Sequence, residues 1–475
     1  MRYDALALGF LAVLGVVAGC NAQPRQPDIG LIYNDAARMI GDARNPVIVI
    51  PGILGTKLEE PGTERPIWGS FTYGAADPDT AEGARLVALP MRLGAPLSEL
   101  RDTNVATDVL DTLTLDVALF RGVQLGAYVD ILRTLAAGEY RDSTLGRSGA
   151  IDYGGLHYTC FQFAYDWRRD ISEQAVALHG HVLDALAAQP EGGSGRVDVV
   201  AHSMGGMVLR YYLRYGPTPL PADGTLPELS WEGARHVEQA IVIGSPAGGS
   251  SLALEQLVEG VNFAALITPT YRPAVLGTMP AIYQLLPRNR HARVVEGWTG
   301  ESGQAVDLYD VATWERFGWG LADPGQDGVL RWLLPDVGTR EERRAVALDH
   351  LAKSLARARQ LHEAIDFPAS MPAGTSLHLV IGDSEPTPDL IAVDGATGRL
   401  RFVSSVPGDG TVTRWSALLD ERTGSGYAPR LRSPMDIAST VFLNTDHLGL
   451  TKHPLFDNFA LFTLLEKPRA SDLVE

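Results

Sequence analysis

The sequence predicts an α/β fold, a mostly parallel sheet with helices on both faces. Three observations carry the prediction. Short apolar runs, Pro46-Val-Ile-Val-Ile50 and Ala240-Ile-Val-Ile243, have the look of strands buried on both sides, and Leu377-His-Leu-Val-Ile381 returns to the sheet. Residues 171, 175, 178, 182 and 186 are apolar at a helical period, and a second helix-forming stretch runs to about Tyr215 before Gly216-Pro217. Strand and helix alternate between residues 46 and 249, which favours a parallel sheet with right-handed crossovers.

Totals set the outer bounds. At 475 residues, one large α/β domain with insertions fits as well as two domains. The formal net charge is −17, which argues against nucleic acid as a partner and against an electrostatic grip on anionic lipid. Two cysteines, Cys20 and Cys160, exclude a disulfide scaffold and a cysteine-rich zinc site. His179-Gly-His181 reads as the polar side of a helix and lacks partners at metal spacing, and the Gly-rich stretches 192–195 and 244–249 lack the Gly-x-Gly-x-x-Gly spacing of a dinucleotide site, so no metal and no organic cofactor are expected.

Residues 1–19 read as a targeting segment: Arg2 precedes an apolar stretch, Ala5 to Ala18, too short for a comfortable membrane span. Val17-Ala18-Gly19-Cys20 resembles a bacterial lipobox. That resemblance implies cleavage before Cys20, lipidation of its thiol, and a place in the bacterial cell envelope, anchored by acyl chains. Asn21 after the cysteine favours the outer membrane; an ordinary secretory signal with a periplasmic or secreted product is the alternative. Cys160 sits in an apolar run and is expected to be a buried, inert thiol.

Residues 20–45 read as a tether, and 46–249 as the first part of the core. Within it, about 56–106 is rich in Gly, Pro and charge with little periodicity, and reads as a lid loop with Trp68 and Phe71 as its apolar points. The rhythm of strands and helices fails over 250–338, an apolar, proline-punctuated block read as an inserted cap. The core resumes over 339–475, with a long helix near 341–365 and a hairpin near 390–403 around Asp394-Gly395 and Thr397-Gly398.

The stretch that carries chemistry is Val197-Asp-Val-Val-Ala-His-Ser-Met-Gly-Gly206. A strand runs into a tight turn bearing Ser203, flanked two positions away by Ala201 and Gly205, and a helix follows at once. This is the setting of a nucleophile elbow, in which small neighbours leave the hydroxyl exposed on a sharp turn. A serine nucleophile needs a base, an orienting acid and oxyanion donors. In α/β-hydrolases the three side chains come in the order Ser, acid, His. Asp409, in Gly408-Asp-Gly-Thr-Val412, and His447, in Asp446-His-Leu-Gly449, follow that order, with Asp383 and His453 as rivals. The amide of Met204 and that of Ile53, in the Pro51-Gly-Ile-Leu-Gly55 turn, are the candidate oxyanion donors.

Five segments in order resemble the lecithin:cholesterol acyltransferase family, which includes lysosomal phospholipase and the phospholipid:diacylglycerol acyltransferases. They are Pro46–Leu58, Tyr165-Asp-Trp-Arg168, His202-Ser-Met-Gly205, Gly244-Ser-Pro-Ala-Gly-Gly249 and Gly408-Asp-Gly-Thr-Val412, with Glu385-Pro-Thr-Pro388 and Asp446–Gly449 also similar. The resemblance implies an α/β-hydrolase with Ser203 as nucleophile, Asp409 as acid, His447 as base, and oxyanion amides at Ile53 and Met204. Asp383 falls before the Pro-Thr-Pro segment and has no catalytic counterpart. Tyr165–Arg168 is read as structural, around a buried Asp–Arg pair. Two departures stand out. The stretch 56–106 has no cysteine to close a lid by a disulfide, so Trp68 takes the lipid-touching part there, unless it only packs on the core. Ile53 stands where lysosomal phospholipase has an acidic residue.

The function expected is that of a serine-dependent lipid acyl enzyme. It would be an O-acyltransferase, a phospholipase or a lipase, acting on a phospholipid or another glycerolipid ester. The alternatives are an esterase or thioesterase for small soluble esters, and a non-catalytic envelope lipoprotein that keeps a hydrolase fold.

Overall fold

Six strands pair into one sheet: β1 (Val47–Ile50), β2 (Cys160–Gln162), β3 (Val197–His202), β4 (Val237–Ile243), β5 (Ser376–Gly382) and β6 (Ile437–Leu443). Their order across the sheet is β6-β5-β4-β3-β1-β2, and every neighbouring pair is parallel. This is the α/β-hydrolase fold. The computed structural model describes residues 44–467 except 72–73, 111, 118–119, 127, 156, 192, 263–268, 298–302 and 425. The expected leader, residues 1–19, and Cys20 lie outside the described residues.

Why β1 is an unbroken apolar run follows from the two cores. Ile48 and Ile50 of β1 belong to one hydrophobic cluster, Val47 and Val49 to the other, as alternate residues of a strand must when both faces are covered. All six residues of β3 are buried, so the strand that leads to Ser203 is held on every side.

Helix α1 (Ile171–Ala187) starts on Asp170, whose carboxylate accepts from the Ser172 amide at 2.8 Å, and buries Ala175, Leu178 and Val182. Helix α2 (Met204–Tyr215) is buried along its whole length and stops at Gly216. Helix α3 (Arg340–Asp366) opens with a capping box between Thr339 and Glu342. It buries Val346, Leu351, Leu355 and Leu361.

The stretch 56–106 is more regular than its composition suggests. Thr56–Glu60 pairs antiparallel with both Arg65–Trp68 and Val105–Val109, and helix Ala81–Val87 lies between them. Strands of four or five residues are too short to show a period. The block 250–338 contributes fully buried Trp314 and Trp319 to the same cluster as the sheet. Its strand Val294–Glu296 pairs with Ile391–Val393 of the hairpin formed by Glu385–Val393 and Leu400–Gly408. Cys160 is a free, buried thiol; burial, then the Asp142 charge, pushes its pKa well up, so it is inert as a nucleophile.

Candidate active site

The site lies where the parallel strands end, the place where open α/β sheets gather loops that can bind ligands. Ser203 follows β3 with φ 53° and ψ −126°, a conformation costly for any residue with a Cβ. Its own amide donates to the Ile243 carbonyl at 2.8 Å, which fixes the turn to β4. Two positions on, a Cβ at Gly205 would stand 2.5 Å from the Pro51 carbonyl oxygen and 2.7 Å from that of Ile50. Only glycine lets α2 start this close to β1.

His447, beyond the end of β6, approaches Ser203 with Nε2 at 3.0 Å from Oγ. Its Nδ1 lies 2.7 Å from Asp409 Oδ2. A carboxylate can only accept there, so Nδ1 carries the hydrogen and Nε2 presents a lone pair to the serine hydroxyl. Asp409 is held from behind: Oδ1 accepts the amides of Val412 at 2.7 Å and Thr411 at 2.9 Å. Burial pushes this carboxyl up, but His447 and the two amides outweigh burial and leave its pKa below the ordinary range. The Pro-Thr-Pro strand takes part, since the Gly410 amide donates to Thr387 Oγ1 at 2.8 Å.

The rivals go elsewhere. Asp383 lies beyond β5 with Arg414 Nε at 3.8 Å, and His453 caps helix Pro454–Leu461 by accepting the Leu455 amide at 3.2 Å.

Ile53 sits in the turn after β1, and Met204 is the first residue of α2. The turn's internal bonds use other amides: Gly55 donates to the Gly52 carbonyl at 3.1 Å, and Gly52 to the Tyr128 hydroxyl at 2.8 Å. Tyr165 Oη donates to the Pro51 carbonyl at 2.8 Å, and Trp68 Nε1 to the Leu54 carbonyl at 2.6 Å. Trp68 is only 5% exposed and meets Trp167 and Tyr271 edge-on, with ring centroids 5.7 and 5.8 Å apart. It therefore stands behind the turn as a packing residue, not at a surface where lipid could touch it.

Arg168 is fully buried and binds Asp166 through Nε at 2.9 Å and Nη2 at 2.8 Å, with Asp102 2.8 Å from Nη1. The Tyr165–Arg168 segment is thus held by a buried pair plus one more carboxylate, and reaches the turn after β1 through Tyr165. His179 and His181 do not lie on a solvated face. Both are half-buried beside aromatic rings, His179 at Tyr212 and His181 at Phe163.

Sequence reasoning missed two residues at this site. His202 was in view only as a neighbour of the serine, and Tyr128 lies in a stretch without clear periodicity. The two hydrogen-bond to each other, Tyr128 Oη to His202 Nδ1 at 3.1 Å. No local pattern marks a tyrosine that meets a motif 74 residues away.

A serine, a histidine and an aspartate in hydrogen-bonded series on an α/β-hydrolase sheet define an enzyme of the serine-hydrolase type. Residues 156–307 match the family model described as lecithin:cholesterol acyltransferase. Over this stretch the chain is similar to that family. It is 24% identical over 405 residues to lysosomal phospholipase A and acyltransferase of Canis lupus familiaris, covering 82% of this chain and 85% of the relative. A chain in the crystal structure of the Tle4–Tli4 complex has the same fold at 14% identity, with a TM-score of 0.50, covering 89% of this chain and 98% of the other.

Proposed function

We propose that the protein is a serine-dependent lipid acyl enzyme, taking an acyl group from a glycerolipid ester and passing it to water or to a lipid hydroxyl. The observation that carries the reading is the series Ser203–His447–Asp409, with contacts of 3.0 and 2.7 Å. His447 Nε2 takes the Ser203 proton as Oγ attacks the ester carbonyl. The oxyanion that forms is met by the amides of Ile53 and Met204, each worth roughly 2.7–4 kcal/mol of barrier. Collapse expels the alcohol, which receives the proton from His447, and leaves an acyl-serine. An incoming hydroxyl then gives its proton to His447 and takes the acyl group by the same steps in reverse. Asp409 keeps the imidazole in the right tautomer and offsets its transient charge. The family relative named for both phospholipase and acyltransferase activity supports a glycerolipid ester as donor.

The test is a product analysis. Vesicles of labelled phosphatidylcholine are incubated with the enzyme, with and without diacylglycerol or a sterol, and free acid is separated from new ester. Acyl release that disappears in Ser203→Ala supports the reading. Release that survives the substitution ends the serine mechanism. Turnover of short soluble esters with none of phosphatidylcholine makes the protein a small-ester esterase. We further propose that the mature chain is held at the bacterial envelope by acyl groups on Cys20. Metabolic labelling with an alkynyl fatty acid would then mark the wild type and leave Cys20→Ala unlabelled.

A further inference from the structure

Strands β1, β3 and β6 deliver the oxyanion turn, the serine and the base, and two buried side chains outside the triad join those parts. The Gly52 amide donates to Tyr128 Oη at 2.8 Å; Tyr128 Oη lies 3.1 Å from His202 Nδ1; and His202 Nε2 lies 3.2 Å from the backbone carbonyl oxygen of His447. Hydrogens can be assigned to this chain in one way only. A carbonyl accepts, so His202 Nε2 carries its hydrogen. Burial, then the neighbouring His447, pushes the His202 pKa down to about 3, so the ring is neutral and Nδ1 is a lone pair. Tyr128, whose hydroxyl burial keeps protonated, must then donate to Nδ1 while accepting from Gly52. Every donor points the same way, from the turn that carries Ile53 toward the loop that carries His447.

We propose that Tyr128 and His202 are positioning residues for acyl transfer, holding the oxyanion turn and the base loop in register with Ser203. The inference rests on the acyl-enzyme reading of Ser203. Both side chains are at most 4% exposed, and phenylalanine at either position would fill the same space. What the polar atoms add is a fixed spacing between two loops that belong to β1 and β6, strands separated by three others in the sheet. The His202 ring also lies 4.7 Å from that of His447, centroid to centroid. Because His202 stays neutral, the positive charge that His447 gains in each half-reaction has no like charge beside it.

A misplacement of about 1 Å between reacting groups costs on the order of 100-fold in rate. The full-length enzyme is therefore compared with Tyr128→Phe, His202→Phe, His202→Gln and the double variant Tyr128→Phe/His202→Phe. Three quantities are read: kcat and KM on a soluble chromogenic ester, the rate of fluorophosphonate labelling, and the melting temperature. Expected is a fall of roughly 10- to 100-fold in kcat and in labelling rate for Tyr128→Phe and His202→Phe, with KM within about twofold. The double variant should be no worse than the poorer single one, because both break the same chain of bonds. His202→Gln, which can still donate to the His447 carbonyl, should recover part of the rate. Wild-type kcat in both single variants, losses that multiply in the double, or a loss seen only as a lower melting temperature would each overturn the inference. Ser203→Ala separates the levels: if it labels like wild type, the acyl-enzyme reading itself falls. If it is silent while the Tyr128 and His202 variants label normally, only the positioning role falls.

Discussion

Replacing Asp409 with asparagine changes almost no volume and inverts one hydrogen-bond preference. The carboxylate accepts three hydrogens, from the amides of Val412 and Thr411 at Oδ1 and from His447 at Oδ2. An asparagine must place its oxygen where the two backbone amides point, since turning it would set NH2 against both. Its NH2 then faces His447 Nδ1 at the distance now held by Oδ2. The imidazole answers by moving its hydrogen to Nε2, and Nε2 so loaded cannot take the Ser203 proton. The loss expected from a wrong tautomer in intact geometry is about 10⁴-fold in kcat, which corresponds to about 5.4 kcal/mol of barrier. The two backbone amides keep their acceptor, so the melting temperature should change little. Pre-steady-state hydrolysis of a chromogenic ester reads the acylation rate directly, and thermal melting checks the fold. A loss below about tenfold with the fold intact would show that Asp409 does not set the tautomer of His447, and the proposed mechanism would be wrong at that step.

Other outcomes follow from the same geometry. Gly205→Val drives a Cβ against two backbone oxygens at 2.5 and 2.7 Å, so urea titration should show at least 1–3 kcal/mol of lost stability; an unchanged midpoint would refute the close approach. Arg168→Leu leaves the carboxylates of Asp166 and Asp102 without their cation and should cost about 3–5 kcal/mol in the same assay. Acid should destabilise the fold above the range where carboxylates titrate. The pKa is pushed down to about 3 at His202 and His362 and to about 4 at His350 and His378, chiefly by burial, against an ordinary 6.5. These histidines are neutral in the fold and take up protons on unfolding, so the stability they contribute is full above pH 6.5 and falls as the pH drops toward 4 and then 3. Urea midpoints at pH 7.5, 6 and 5 should decline in that order, and a flat series would contradict the burial of these rings.

The sheet and the triad were legible because their signals are local. A strand buried on both faces tends to be a short apolar run, and Val47–Ile50 and the Ala240–Ile243 part of β4 are such runs. Ser203 is marked by the small residues that its turn requires, and Asp409 by a glycine-flanked turn. The ambiguity between Asp409 and Asp383 was real at the level of residues, since both sit in turns near strand ends. It is resolved in the structure by which carboxylate reaches His447. What stayed hidden is what depends on long-range contact. Trp68 has the sequence of a surface anchor in a polar stretch, yet packs against Trp167 and Tyr271, which are distant in the chain. Tyr128 carries no motif at all. The strands of the 56–106 stretch are hidden for another reason: their pairing, not their pattern, makes them strands.

The two halves of the proposed proton transfer hang on strands of unequal security. Ser203 leaves β3, an inner strand with all six residues buried, whereas His447 follows β6, which ends the sheet and buries only Leu443. An edge strand with one paired side is the first part of a sheet to fray. Catalysis is then a gauge of whether the last strand is seated, and in rising denaturant the enzyme should fall silent before its tryptophans are exposed. The nucleophile would still be in its turn, with nothing to receive its proton.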